Sequence, residues 1–353
     1  MAVLGTPIVI DGSHGEGGGA LLRTALAMSA LTQQPLRVVN IRGGTKFAGL
    51  NPEDVTILRA LALACSAETL GAEVGEASVS FLPTRRPRGL NETLEIVQGR
   101  DGTGFANALV VLNSLLPVMA RTGVYTKLTA EGETFGNNML SFDYFANVTL
   151  QAYRKLGIYS FAEMSLAGFG RGSRGEVRLE TEPSAINGIL WPDRGEMLGV
   201  RAIVTTAELS ESVGQRGVAH LTKLAYHSGL SLEPEPVAVR AKGPGCFITV
   251  WAEFERGFGG ATAMGARGVR VEAVAQQAFE AFAQWLRTDA TVDAFLADQV
   301  LLAAALAEGE STFKTPRLTQ RFLTSSWVIK QFLPIHITIR GQENEPGVVS
   351  IKR

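Results

Sequence analysis

The sequence predicts an α+β protein: a large domain of repeated strand–helix units carrying a smaller inserted α/β domain. Three observations predict it. Short apolar strands alternate with small-residue helices over the first ~90 residues, the pattern of strands that need helices to cover them. The theme restarts where Gly102-Thr103-Gly104 precedes the helical run Ala106–Leu116, much as Gly15-Glu16-Gly17 precedes Leu21–Leu31, a period of roughly 85–90 residues. Residues 187–270 then break the rhythm, so 1–186 and 271–353 are expected to form the large domain and 187–270 the insert.

Taken in order, Ile8-Val9-Ile10, ending at Asp11, reads as a buried strand, and a glycine cluster, Gly12 to Gly19, follows it. Ala20–Thr32 has the small and long apolar residues of a buried helix, with Pro35 beyond its end. Leu36–Ile41 is the next strand. Asn51-Pro52-Glu53-Asp54 is a compact helix start: a capping side chain, a proline where no N–H is needed, and acids at the positive dipole end. That helix is expected to run to Cys65, with a turn at Gly71 before the strand Val79–Leu82. Met139–Leu156, Val271–Leu286 and Ala297–Ala307 also have helical character. In the insert, Ala202–Thr205 and Phe247–Phe254 read as strands and Arg216–Tyr226 as a helix. Glu233-Pro234-Glu235-Pro236 reads as a linker, and Gly257–Gly268 as the exit from the insert.

Composition narrows the function. The 353 residues are 46% hydrophobic, with 33 basic against 34 acidic side chains, enough apolar matter for a core and no general attraction for polyanions. Any nucleic-acid contact must come from local patches. Two cysteines, Cys65 and Cys246, are too few for a disulfide framework or a zinc knuckle. The N-terminal stretch has no positive leader and is broken at Gly5 and Pro7, and no run approaches the ~18 apolar residues of a membrane span. A cytoplasmic protein without a membrane partner is expected.

The glycine cluster carries most of the chemistry. Glycines ahead of a helix leave backbone N–H groups to point into a hollow where the helix dipole favours an anion. Gly15, Gly17, Gly18 and Gly19 are therefore candidate phosphate binders, Glu16 could hold a metal ion, and Arg23, one turn on, could reach the same anion. Gly15 to Ala20 satisfies G-x-G-x-x-A, but the acid expected about 20 residues later is replaced by Val38-Val39-Asn40. No Lys-Ser/Thr pair follows the glycines, which excludes a P-loop.

The longer stretch Ile10-Asp11-Gly12-x-x-Gly15-Glu16-Gly17-Gly18-Gly19-x-Leu21-Leu22-Arg23 resembles the N-terminal motif of the RNA 3′-terminal phosphate cyclase family. Ile41-Arg42-x-Gly44 with Gly49-Leu50 is similar to its phosphate loop, Leu296-Ala297-Asp298-Gln299 to its late Asp-Gln helix, and Phe322–Pro334 to the segment after its nucleophile. The resemblance covers nearly the whole chain. It implies three strand-helix-strand-helix-strand-strand units with the small α/β domain inserted before the third. It also implies ATP and a divalent metal, Mg or Mn, as cofactors and RNA 3′ ends as partners: a histidine takes AMP from ATP, passes it to an RNA 3′-phosphate, and the 2′-oxygen closes a cyclic phosphate. By position, Glu16 matches the acidic ATP and metal residue, Arg23 and Arg42 match phosphate-binding arginines, and Gln299, beside Asp298, matches a nucleotide-site amide.

The chain departs from that pattern at its centre. Arg321 stands where the family has its histidine, in Thr319-Gln320-Arg321-Phe322-Leu323-Thr324. A guanidinium stays protonated and has no lone pair, so it cannot attack phosphorus, but it can grip a phosphate. His14, inside the glycine loop, is the candidate substitute nucleophile. Family glutamines become Glu53 and Asn113, a second loop arginine becomes Thr45 with Lys46 beside it, and Arg171 and Arg174 interrupt a glycine-rich signature. Lys46 and Asn113 are kept as nucleotide or phosphate binders, and Arg171 and Arg174 as RNA contacts. The favoured expectation is an RNA 3′-end protein without histidine adenylylation. The alternatives are an active cyclase with a displaced nucleophile and, on fold analogy alone, an enolpyruvyl-transferase-like enzyme.

Overall fold

The computed structural model describes residues 6–94, 107–136, 140–169 and 173–352. The Gly102-Thr103-Gly104 turn and Arg171 lie outside the described residues.

The first unit runs β1 (Ile8–Asp11), α1 (Gly19–Thr32), β2 (Leu36–Val39), α2 (Pro52–Cys65), β3 (Glu68–Leu70) and β4 (Val79–Leu82). β1 pairs parallel with β2, β2 antiparallel with β4, and β4 with β3, giving the order β1-β2-β4-β3. The second unit comprises β5 (Asn91–Leu94), α3 (Ala108–Met119), β6 (Thr126–Gly132), α4 (Phe142–Tyr144), a π-helical turn at Phe145–Thr149, α5 (Leu150–Lys155), β7 (Ser160–Leu166) and β8 (Gly175–Thr181). Its strand order, β5-β6-β8-β7, repeats the first, parallel pair included.

The small domain follows, with β9 (Met197–Ala207), α6 (Glu211–His227), β10 (Glu233–Ala238), β11 (Gly245–Phe254), β12 (Gly257–Met264) and α7 (Val271–Leu286). The third unit closes with α8 (Ala294–Leu306), β13 (Ser311–Thr315), α9 (Gln320–Phe332), β14 (His336–Arg340) and β15 (Gly347–Lys352), in the order β13-β15-β14. Its missing first strand is residues 187–191, upstream of the insert: Asn187 bridges Glu308 and Leu190 bridges Thr312, both in the parallel sense. The insert therefore interrupts the third unit after its opening strand, and does not precede that unit as expected.

Helix chemistry explains the local starts. Asn51 accepts from the Asp54 amide and Asp54 from the Asn51 amide, a reciprocal cap with Pro52 at the first turn. Asn107, Asp293 and Thr319 cap α3, α8 and α9 more simply, each side chain accepting from amides of the first turn. β6, β8 and β13 bury alternate residues, so each sheet turns one face inward. Those faces cover α1, α2, α3, α8 and α9, which pack on one another in one shared core.

Three expectations about the insert are corrected. Glu233–Ala238 is a strand and not a linker: it lies at the sheet edge, parallel to β9, where Pro234 and Pro236 can do without N–H groups. The glycine-rich exit is strand β12, in which Gly259 makes room for the Trp285 indole. The boundary also moves. A separate core runs from Val200 to Ala290 and includes α7, which the sequence places in the large domain. Hydrogen bonds join the domains: Thr205 Oγ1 donates to Asp143 (2.6 Å) and the Gly260 amide to Asp293 (2.9 Å), whose carboxylate the Tyr144 hydroxyl of the large domain also binds (2.6 Å).

Candidate functional site

The glycine loop and the start of α9 meet as the sequence requires. The Glu16 amide donates to Thr324 Oγ1 at 3.0 Å, and Thr324 Oγ1 donates to the Gln320 carbonyl at 2.7 Å. Gly15 has φ +59°, and a Cβ there would strike Thr324 Oγ1, so only glycine meets both demands. Fixed in this way, Glu16 Oε1 accepts two bonds from Arg321, from Nε at 3.2 Å and Nη2 at 3.1 Å. Burial works against the Arg321 charge, but Glu16 and then Asp298 outweigh it and raise its pKa above the ordinary guanidinium value.

A second cluster lies beside the first turn of α1. Asp54 is wholly buried; Arg42 Nη1 binds its Oδ2, and Arg23 Nη1 lies 3.6 Å from its Oδ1. Arg42 also donates to the Gly49 carbonyl at 2.9 Å from a left-handed backbone, φ 51°. Both guanidiniums press against Gly19, where any side chain would collide with them. Burial lowers the Arg23 pKa, opposed by Asp54 and Glu53. No side chain caps α1.

Between these clusters lies a cavity of about 210 Å³ lined by Arg23, Glu53, Asn113, Asp298, Gln299 and Arg321 among others. Asp298 Oδ1 accepts from Thr319 Oγ1 at 2.6 Å, so the residue that caps α9 also orients this carboxylate. Burial pushes the Asp298 pKa up to about 6, against the Thr319 bond and the nearby Arg321 charge. Gln299 is engaged, accepting from Thr149 Oγ1 at 2.7 Å and donating to the Phe295 carbonyl at 3.2 Å. Asn113 Oδ1 is buried without a hydrogen-bond partner. Pro117, four residues on in the same helix and also in the cavity wall, has no N–H to give the Asn113 carbonyl. The wall thus holds the guanidiniums of Arg23 and Arg321 together with one unpartnered acceptor, Asn113 Oδ1.

Not every expected residue joins this site. Lys46 is exposed, with its ammonium 5.4 Å from the Phe47 ring centroid, and His14 is exposed and stacked on Trp327 at 4.0 Å; neither lines the cavity. Arg174 is ion-paired with Glu131 and lines a different hollow with Phe169 and Lys242. Asp54 and Thr324, which hold the arginines and the loop, escaped the sequence reading. Asp54 was legible only as an acid at a helix start, and nothing in its spacing points to Arg23 or Arg42.

A model of the RNA 3′-terminal phosphate cyclase family matches residues 14–339. The chain belongs to that family. The RNA 3′-terminal phosphate cyclase of Methylococcus capsulatus is 31% identical over 98% of this chain and 96% of its own length. The Pyrococcus furiosus protein of the same name is 32% identical over 98% and 99%. Among solved structures, the enolpyruvyl transferase NikO from Streptomyces tendae shares 12% identity at a TM-score of 0.25, covering 62% of this chain and 38% of that one. That likeness carries no argument.

Membership in the cyclase family implies a divalent cation near Glu16, and the residues present do not fit one. Glu16 Oε1 is taken by a guanidinium, which leaves a single buried oxygen, Oε2, without a partner. Hard cations need several oxygen ligands, and although waters and phosphates can supply some of them, here they would have to gather against a fixed guanidinium charge.

Proposed function

We propose that this member of the RNA 3′-terminal phosphate cyclase family binds phosphate-bearing RNA 3′ ends, or a nucleotide, without forming a histidine adenylate. One observation supports the reading: Arg321, which the sequence resemblance aligns with the family's nucleophile, is a guanidinium held by Glu16 in the wall of the cavity that Arg23 also lines. Two of its five N–H bonds go to Glu16, which leaves three for a ligand. ATP on this reading is a ligand and not an adenylyl donor. Asn113, with its free acceptor oxygen, suits an O–H or N–H of the bound nucleotide.

Two measurements test it. Oligonucleotides ending in 3′-phosphate should bind more tightly than 3′-hydroxyl counterparts, by about tenfold for one charge-assisted bidentate contact. Equal binding of both ends counts against the reading. Incubation with α-labelled ATP and metal should leave no acid-labile label on the protein. Label that disappears in His14→Ala would establish the alternative, an active cyclase with a displaced nucleophile.

A further inference from the structure

Arg321 lies under the influence of two carboxylates, Glu16, which it contacts directly, and Asp298. This is the electrostatic setting in which a divalent cation would be held, and a permanent cation already occupies it. A metal ion on Glu16 would face the guanidinium at close range, with repulsion little offset by one remaining oxygen. Guanidinium also matches the geometry of phosphate oxygens, which it can bridge with paired N–H bonds. Its Nη1 donates to neither carboxylate and belongs to a side chain in the cavity wall.

We infer that Arg321 replaces the divalent cation in this chain: Glu16 holds the guanidinium, the guanidinium and Arg23 hold the phosphate, and capture of the anion needs no metal. This rests on the proposed phosphate-binding function and concerns only how the ligand's charge is met. Arg321 therefore serves two purposes at once. It removes the nucleophile, and it removes the reason for a metal at Glu16.

The test is equilibrium binding of a fluorescent RNA oligonucleotide with a 3′-phosphate, in EDTA and in millimolar Mg²⁺ or Mn²⁺ at matched ionic strength. The wild-type protein is expected to bind equally, within about twofold, with and without metal. Arg321→Ala is expected to bind about tenfold more weakly in EDTA and to recover part of that loss with Mn²⁺, because Glu16 is freed. Arg321→Lys keeps the charge and should bind weakly but still without metal, and circular dichroism confirms that each variant is folded. As a direct readout, calorimetric titration with Mn²⁺ alone should show saturable uptake by Arg321→Ala and none by the wild type. Wild-type binding that is lost in EDTA and restored by metal overturns this inference alone. So does saturable wild-type Mn²⁺ uptake that Glu16→Gln abolishes. No binding under any condition overturns the proposed function, and this inference with it.

Discussion

Arg321 and Glu16 are 305 residues apart in the chain, yet Nε and Nη2 of the one share a single carboxylate oxygen of the other. This pair ties the first unit of the large domain to the third. It also sets the character of the cavity. Arg23 and Arg321 share its wall with Glu53 and Asp298, and Asp54 and Glu16 pair with those two arginines, so the surroundings are not a plain positive patch. Selectivity for an anion must come from how the donors are aimed.

That balance gives a pH-dependent expectation. Burial holds the Asp298 pKa at about 6, so lowering the pH through that value neutralises one carboxylate beside Arg321. Affinity for a 3′-phosphate should rise between pH 7.5 and 5.5 relative to Asp298→Asn, in which nothing titrates at that position. The variant cancels the ligand's own second ionisation, near pH 6, from the comparison. A constant wild-type-to-variant ratio across the range would sink the expectation.

Asp54 should be the costliest acid to remove. Its fully buried carboxylate takes Arg42, faces Arg23 and closes the cap of α2. Asp54→Ala leaves two half-buried guanidiniums without their counter-ion, a loss on the order of 3–5 kcal/mol. Urea unfolding monitored by circular dichroism measures it. A loss below about 1 kcal/mol would show that the arginines find other partners.

Gly15→Ala places a Cβ against Thr324 Oγ1 on a left-handed backbone. The expected cost is about 1–3 kcal/mol of stability. Gly44→Ala is the control, since it has a positive φ but nothing within reach of the new carbon. The difference between the two midpoints isolates the contact with α9.

Asp143 predicts how stability changes with pH. Burial pushes its carboxyl up to about 6, against the bond from Thr205. The unfolded value is near 3.9. A raised acid favours the folded state while protonated, so its contribution is full below pH 4 and is lost as the pH rises through 6. Asp143→Asn should remove that decline, gaining about 2–3 kcal/mol relative to the wild type between pH 4 and pH 7.5. Parallel stability curves for the two proteins would refute it.

Some elements could be read from residues alone because local chemistry decides them. Asn51-Pro52-Glu53-Asp54 caps α2 as its spacing requires, and Val271–Leu286 is helical over the full expected range. Others depend on partners distant in the chain. Glu233–Ala238 is a strand only because β9 lies beside it, and β12 tolerates Gly259 because Trp285 fills the space. The opening strand of the third unit was hidden because the small domain separates residues 187–191 from β13. At the site, Glu16, Arg23, Arg42 and Arg321 were legible through their motif. The grouping of Arg23 and Arg42 on one buried acid was not, because it depends on how α2 packs beside α1.

The separation of Glu16 from Arg321 also has a consequence during biosynthesis. The glycine loop leaves the ribosome long before its guanidinium partner exists, and the entire small domain is made in between. Until α9 emerges and docks, the loop has no Thr324 to fix it and its glutamate no counter-charge. The cavity wall that Arg321 and Asp298 share with Arg23 is therefore complete only once the third unit has packed on the first.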